Sequence, residues 1–178
     1  LMGRTGIPKL TIDFKGKPRE YVAFVRLLQS LERLGLPFNL DAWDGYPASR
    51  QRVYKELLET SANPIVLSGD THNAWAFNLT DDEGLSVGVE IGTPGITSPG
   101  LETESTTKPD ETSAALMLAS PELIEVDTSR RGWAELVITP TQTSNQWHFV
   151  DTILSRDFTV SSSVPLICKL GDKKFSAS

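Results

Sequence analysis

The sequence has little of several things that would narrow its function. It contains one cysteine, Cys168, so no disulfide can form within the chain, and a small buried residue explains this position better than a reactive thiol. It contains 17 lysine and arginine residues against 23 aspartate and glutamate residues, with a net charge of -6. Because no basic cluster is present, we expect no nucleic-acid-binding surface. No run approaches the ~20 apolar residues of a membrane-spanning helix, so we expect no transmembrane segment.

The length and composition predict a globular chain. With 178 residues and 39% hydrophobic composition, the sequence can bury one sizeable core and is short for two. We therefore predict a single domain over 1–178, with a variable helical segment at 1–40, a core at 41–155 and a tail at 156–178.

Hydrophobic spacing predicts two helices in the first third of the chain. The first carries apolar residues three and four positions apart, at Tyr21, Phe24, Val25, Leu28 and Leu31. The second is predicted over 49–60, with Leu57 and Leu58 inward and Arg50 outward. A loop of aromatic and turn-forming residues at 41–47 separates the two helices.

The rest of the chain is predicted to be mainly strands. Ile65–Ser68 is a short apolar run bounded by Gly69, which is typical of a buried central strand. A polar turn at 80–84 predicts a hairpin between the strands on either side of it. The predicted elements are strands at 74–79 and 85–91, a loop at 92–113, a helix at 114–119, strands at 123–126, 132–139 and 146–153, and an apolar run at 164–170. Helices first and antiparallel strands later indicate an α/β (α+β) fold.

The most informative motif follows the run at 65–68. A strand that ends in glycine delivers the next residues to the edge of a sheet where α/β proteins bind ligands, and these residues include Asp70 and His72. Residues two apart on an extended segment point the same way. An aspartate oxygen and a histidine nitrogen together suit a metal ion, although two donors do not complete a coordination sphere. The alternative is that Asp70 caps a turn and His72 is merely exposed.

Several motifs, in order and spacing, resemble the C-terminal half of the PhoD-like alkaline phosphatases and phosphodiesterases. The resemblance is concentrated between Trp43 and Ile153. The strings that carry it are WDGYP at 43–47 with Arg50 following, LSGDTH at 67–72, VE at 89–90, TPGITSPG at 93–100, RGW at 131–133 and QWHFVDT at 146–152.

The resemblance implies a fold and an activity. The fold would be the C-terminal part of a calcineurin-like metallophosphoesterase, a two-sheet sandwich flanked by helices. The activity would be hydrolysis of phosphate monoesters or diesters at a binuclear metal centre, iron with calcium, or with zinc or manganese as alternatives. Asp70 and His72 would each ligate one metal, with His72 on the transition metal. The resemblance also implies a secreted protein, periplasmic or extracellular.

The same resemblance implies that this chain holds an incomplete centre. The family's other ligands come from an N-terminal half, so we expect this chain to be a C-terminal half that needs that missing part, or another copy, as its partner. We expect the isolated fragment to be inactive. The alternative is a noncatalytic fragment or partner-binding module that keeps the family's scaffold.

Three residues of the 41–50 region are candidates for substrate positioning. Trp43 and Tyr46 could line the approach to the metals, or they could anchor packing over a small core. Arg50 could contact substrate phosphate, or it could be solvated or paired with a carboxylate.

Three further candidates lie near the metal motif. Asn73 could hold a metal-bound water or turn the backbone. Glu90 lies in an apolar strand, where it could orient His72 through the second ring nitrogen. Ser98 lies in the loop at 93–100, which resembles a family segment that closes near the site, and a positioning role there is favoured over nucleophilic attack. The other histidine, His148, is predicted to face away from its aromatic neighbours and to take no part in the site.

Overall fold

The structure is a computed structural model that describes residues 2–3, 14–34, 36–37, 39–60, 63–104 and 107–176. Of the predicted helical segment at 1–40, residues 4–13 lie outside the described part. The helices are α1 Arg19–Arg33, α2 Pro47–Glu59, α3 Leu101–Glu104 and α4 Pro109–Ala119, with a 3-10 turn at Trp43–Gly45 before α2. The strands are β1 Ile65–Ser68, β2 Ala74–Thr80, β3 Ser86–Gly92, β4 Leu123–Asp127, β5 Arg131–Ile138, β6 Gln142–Val150, β7 Val160–Ser162 and β8 Leu166–Lys169.

The strands form two sheets. The first has the order β1-β3-β2-β4, in which β1 runs parallel to β3 and the other neighbours are antiparallel. The second is centred on β6, which pairs with β5, β7 and β8, all antiparallel. The predicted hairpin is confirmed, because β2 and β3 are consecutive antiparallel neighbours.

One face of the first sheet packs against the helices. Trp75 and Phe77 of β2 are buried in a cluster that also contains Tyr54 of α2 and Leu116 of α4. Fully burying such a side chain contributes roughly 1.5–3 kcal/mol, so this cluster is a main source of stability. Helix α1 packs on α4 in turn, with Val25 buried against it.

The opposite face of the first sheet packs against the second sheet. Ala74, Ala76 and Ile91 are buried in one cluster with Trp147 and Phe149 of β6. Small alanines facing large aromatic rings let the two sheets approach closely. The Trp147 indole also donates to the Gly92 carbonyl at 3.1 Å. The predicted two-sheet α/β fold with flanking helices is therefore confirmed.

The structure differs from the predicted elements in several places, and it adds the short strand β7, which was not predicted. Strand β1 lies at the edge of its sheet rather than in its centre, and Leu67 is 64% exposed. The predicted loop at 92–113 contains α3 and the first turn of α4. Strand β6 begins at Gln142, earlier than predicted. The prediction missed its first residues because the inward-facing side chains there, Thr143 and Asn145, are polar rather than apolar. In the described part of the chain, no helix has the length and apolar character that crossing a membrane requires.

Candidate metal site at the carboxyl end of β1

Two loops meet where the parallel strands β1 and β3 end. The first loop, 69–73, leads from β1 to β2, and the second, 93–100, follows β3. The N–H of Thr93 donates to the Ser68 carbonyl at 3.0 Å, which joins the starts of the two loops. The carboxyl ends of parallel strands are where α/β proteins place ligand sites, so the fold puts Asp70 and His72 in a suitable position.

Both predicted metal donors have left-handed backbones, so the expectation that they lie on an extended segment, and point the same way for that reason, is wrong. The φ angle is 70° at Asp70 and 59° at His72, and Lys173 is the other non-glycine residue with positive φ in the described ranges. This conformation costs about 1–2 kcal/mol for a residue with a Cβ atom. Such strain persists where the surroundings impose it, commonly at functional sites. Asp70 is exposed and His72 is half-buried, so both can be reached from solvent.

The imidazole of His72 is held by the second loop. Its Nδ1 lies 2.8 Å from the Pro99 carbonyl oxygen. A carbonyl can only accept a hydrogen bond, so Nδ1 carries a proton, and Nε2 is the nitrogen that has a lone pair when the ring is neutral. Metal-binding histidines in proteins typically donate their other ring N–H in this way.

The main chain of His72 is held by an arginine from the second sheet. Arg131 donates from Nη1 to the His72 carbonyl at 3.3 Å, and its Nη2 pairs with Glu102 Oε1. Burial lowers the pKa of Arg131 from its ordinary value. The same Glu102 oxygen accepts the N–H of Gly100 at 3.2 Å. Sequence reasoning missed Arg131 and Glu102 as parts of the site, although Arg131 opens the RGW string.

Asn73 also joins the two loops. Its side-chain oxygen accepts the N–H of Leu101 at 3.3 Å, and the residue is fully buried. Its Nδ2 has no hydrogen-bond partner among the described residues. The structure thus gives Asn73 a role in loop attachment, and Ser98 lies within the attached loop, one residue before Pro99.

Glu90 has different partners from the predicted one. Its carboxylate is fully buried and accepts the N–H of Met2 at 2.9 Å and that of Gly3 at 2.8 Å. The His72 ring nitrogen that Glu90 was expected to hold donates to Pro99 instead. The expected contact between Glu90 and His72 is therefore wrong. The sequence of β3 does not reveal these partners, because Met2 and Gly3 lie 88 and 87 residues away from Glu90.

The residues of the 41–50 region divide into two groups. Trp43 is 39% exposed and Tyr46 is 56% exposed. Together with Asp41 and Ser49 they line a surface cavity of about 310 Å³. Packing over a small core, the alternative for this aromatic pair, is not what the exposure shows.

Arg50 belongs to the other group, because it faces inward. Its side chain is 4% exposed and lies 2.9 Å from Asp44 Oδ1. The predicted outward orientation is wrong, and the alternative of a carboxylate partner describes the residue correctly. Because the Arg50 guanidinium is buried and paired with Asp44, it is not available to contact a substrate phosphate.

The donor set at this edge is small. In the described ranges, no group of three or more His, Cys, Asp or Glu side chains is placed to hold a metal ion. The donors that the loop does supply are a carboxylate at Asp70 and the free Nε2 of His72. A carboxylate suits a hard cation and an imidazole nitrogen suits a transition metal, and two donors fill only part of the coordination sphere of either ion.

Comparison with known proteins gives a consistent result. The model of the family "PhoD-like phosphatase" matches residues 16–147. Alkaline phosphatase D of Bacillus subtilis (strain 168) is 34% identical over 110 residues, which are 59% of this chain and 18% of that protein. This chain therefore spans about a fifth of the length of that relative. A solved structure, "Structure of PhoD", superposes with a TM-score of 0.60 and 21% identity, covering 78% of this chain and 26% of the other, and so shows the shared fold.

Proposed function

The chain belongs to the PhoD-like phosphatase family, and we propose that it serves metal-dependent hydrolysis of phosphate monoesters or diesters, with Asp70 and His72 as metal ligands. The observation that carries this proposal is the hydrogen bond from His72 Nδ1 to the Pro99 carbonyl, which leaves Nε2 for a metal ion. The aligned relative is an alkaline phosphatase, which gives the reaction class.

The donor chemistry decides which ion each residue would hold. The imidazole nitrogen of His72 suits iron, zinc or manganese, whereas the carboxylate of Asp70 suits a harder ion such as calcium. We therefore propose a binuclear centre of iron with calcium, or with zinc or manganese in their place. Because only two donors come from the described residues, the remaining ligands would come from a preceding part of the natural protein or from a second copy.

The chain's own residues would bind and orient rather than act alone. Bound metal ions would supply positive charge for the phosphoryl oxygens and help to form the attacking nucleophile. The hydrogen bond to Pro99 would keep the proton of His72 on Nδ1 and the donor atom Nε2 unprotonated. Asn73 would keep the loop at 93–100 closed onto the motif. We further propose that the protein works outside the cytoplasm, as the family resemblance implies.

A second candidate is a noncatalytic module that keeps the scaffold of the family. The incomplete donor set of the described residues favours it for the chain in isolation. It predicts stable folding with no metal uptake and no hydrolysis. The enzymatic proposal predicts metal uptake by the natural protein when the remaining ligands are present.

The test compares the two histidines of the sequence. Metal content and hydrolysis of bis-p-nitrophenyl phosphate are measured for the natural protein, His72→Ala and His148→Ala. His148 is a matched control because it lies on the outer face of the second sheet, bonded to Glu135 and Ser162. We expect His72→Ala to lose one metal and most activity, and His148→Ala to keep both. Full metal content and activity in His72→Ala would refute the proposal.

A further inference from the structure

We infer that Arg131 is a positioning residue that sets the orientation of His72, through one contact to its main chain and, by way of Glu102, a second connection to the loop that holds its ring. The inference rests on the proposed function of His72 as a metal ligand. Nothing about Arg131 in the sequence alone suggests this role, because 59 residues separate it from His72.

The guanidinium of Arg131 is buried and contacts both the loop at 69–73 and helix α3. Its side chain is 6% exposed. One terminal nitrogen, Nη1, donates to the carbonyls of His72 at 3.3 Å and of Arg130 at 3.1 Å. The other, Nη2, pairs with Glu102. A rigid planar fork fixes the distance between its partners, which a flexible ammonium cannot do.

Glu102 carries this restraint to the acceptor of the histidine ring. The oxygen that pairs with Arg131 also accepts the N–H of Gly100. Gly100 follows Pro99, whose carbonyl binds His72 Nδ1. Arg131 is thus connected to His72 from two sides, directly at the main chain and indirectly at the ring.

The start of β5 holds the same loop at a second point. The N–H of Gly132 donates to the Gly95 carbonyl at 3.1 Å. There is little slack near Gly95, because a Cβ atom there would lie 3.3 Å from the Cβ of His72. The loop at 93–100 is therefore fixed at both ends around His72, whose left-handed backbone needs such support.

The experiment measures the ring and the metal separately in the natural protein. In the metal-free protein, ¹⁵N NMR of the imidazole reports which nitrogen of His72 carries the proton. We expect the Nδ1–H form in the wild type and a mixture of tautomers in Arg131→Gln. Titration with Zn²⁺ or Mn²⁺ should then show affinity reduced roughly 10–100-fold in Arg131→Gln, the usual effect of losing a residue that orients a ligand.

Arg130→Gln is the matched control. Arg130 is the next residue, carries the same charge and pairs with Asp127 over the ring of Phe149. Its backbone carbonyl, which Arg131 uses, is unchanged by the substitution. This variant should keep the wild-type tautomer and affinity. Equal losses in both variants would show a general effect of charge and overturn the inference.

Other outcomes separate the inference from the proposed function. If the wild type takes up no metal but only Arg131→Gln changes the tautomer, the positioning role stands and the metal assignment fails. If metal binds and Arg131→Gln leaves both readouts unchanged, the positioning role is wrong. Should Arg131→Gln fail to fold, Glu102→Gln tests the same connection with an isosteric side chain. A wild-type tautomer and affinity in folded Glu102→Gln would then overturn the inference.

Discussion

The carboxylate of Glu90 accepts the backbone N–H of Met2 at both of its oxygens, with N···O distances of 2.9 Å each. The N–H of Gly3 adds a third bond at 2.8 Å. The carbonyl oxygen of Met2 in turn accepts hydrogen bonds from the Tyr54 hydroxyl at 3.2 Å and from the Arg50 guanidinium at 3.4 Å. The fully buried carboxyl group is tolerated here because the backbone N–H groups of Met2 and Gly3 satisfy its oxygens.

The first prediction concerns this buried carboxylate. Glu90→Gln should lower the free energy of unfolding by about 1.5–3 kcal/mol, the range for a hydrogen bond to a charged group. Urea denaturation gives the loss, and hydrogen exchange of the Met2 and Gly3 amides locates it. The NMR signals of the His72 ring should stay unchanged. A changed His72 ring with intact protection of Met2 and Gly3 would restore the role expected from the sequence.

The second prediction separates strain from function at Asp70. Because the φ angle of Asp70 is 70°, Asp70→Gly should raise the free energy of unfolding by about 0.5–1 kcal/mol while it removes the proposed metal donor. Lys173→Gly is the control, since Lys173 also has positive φ, at 52°, outside the site. It should stabilise the fold and leave metal binding unchanged. Equal metal affinity in both variants would contradict the assignment of Asp70.

The third prediction concerns the close approach of two strands. A Cβ atom at Gly132 would lie 1.8 Å from the carbonyl oxygen of His148, which is backbone and cannot turn aside. Gly132→Ala should therefore destabilise the protein by about 4 kcal/mol or more, the range kept for severe steric conflicts. Gly69→Ala should change stability little, because its Cβ would meet Thr93 at 3.8 Å. Equal urea midpoints for the two variants would show that Gly132 does not lie so close to the His148 carbonyl.

Local patterns were sufficient where a residue's neighbours in sequence determine its environment. The apolar spacing of α1 and the turn between β2 and β3 predicted both elements. The apolar run at 65–68, bounded by Gly69, also predicted that Asp70 and His72 would follow a strand. Such features depend on backbone propensity and on alternation within one segment, which a single sequence displays.

Features set by distant residues were not predictable in this way. An edge and a central strand have the same apolar run, so the position of β1 depended on its partner β3. The inward side of α2 includes Arg50 because Asp44 offers it a partner. The connection from Arg131 to His72 joins two sheets, and no spacing rule relates residues that far apart.

The last prediction concerns acid stability at Asp127. Burial raises the pKa of this carboxyl, but hydrogen bonds from the backbone N–H groups of Arg130 and Ser129 and from the Arg130 side chain outweigh it, so the pKa lies below its usual value. A lowered pKa in the folded state means that the stabilisation is complete above the unfolded value of about 3.9 and is lost as pH falls through the lower folded value.

Asp127→Asn should therefore be less stable than the wild type by about 1–3 kcal/mol at pH 7, because a charged acceptor is replaced by a neutral one of the same shape. As the pH falls through the folded pKa, the difference should shrink, since the wild-type carboxyl then becomes neutral as well. Glu59→Gln, which breaks an exposed pair with Lys55, is the control and should have little effect at either pH. Urea denaturation of the three proteins at neutral and acid pH measures these differences in the free energy of unfolding. A difference between Asp127→Asn and the wild type that stays constant or grows on acidification would contradict the lowered pKa.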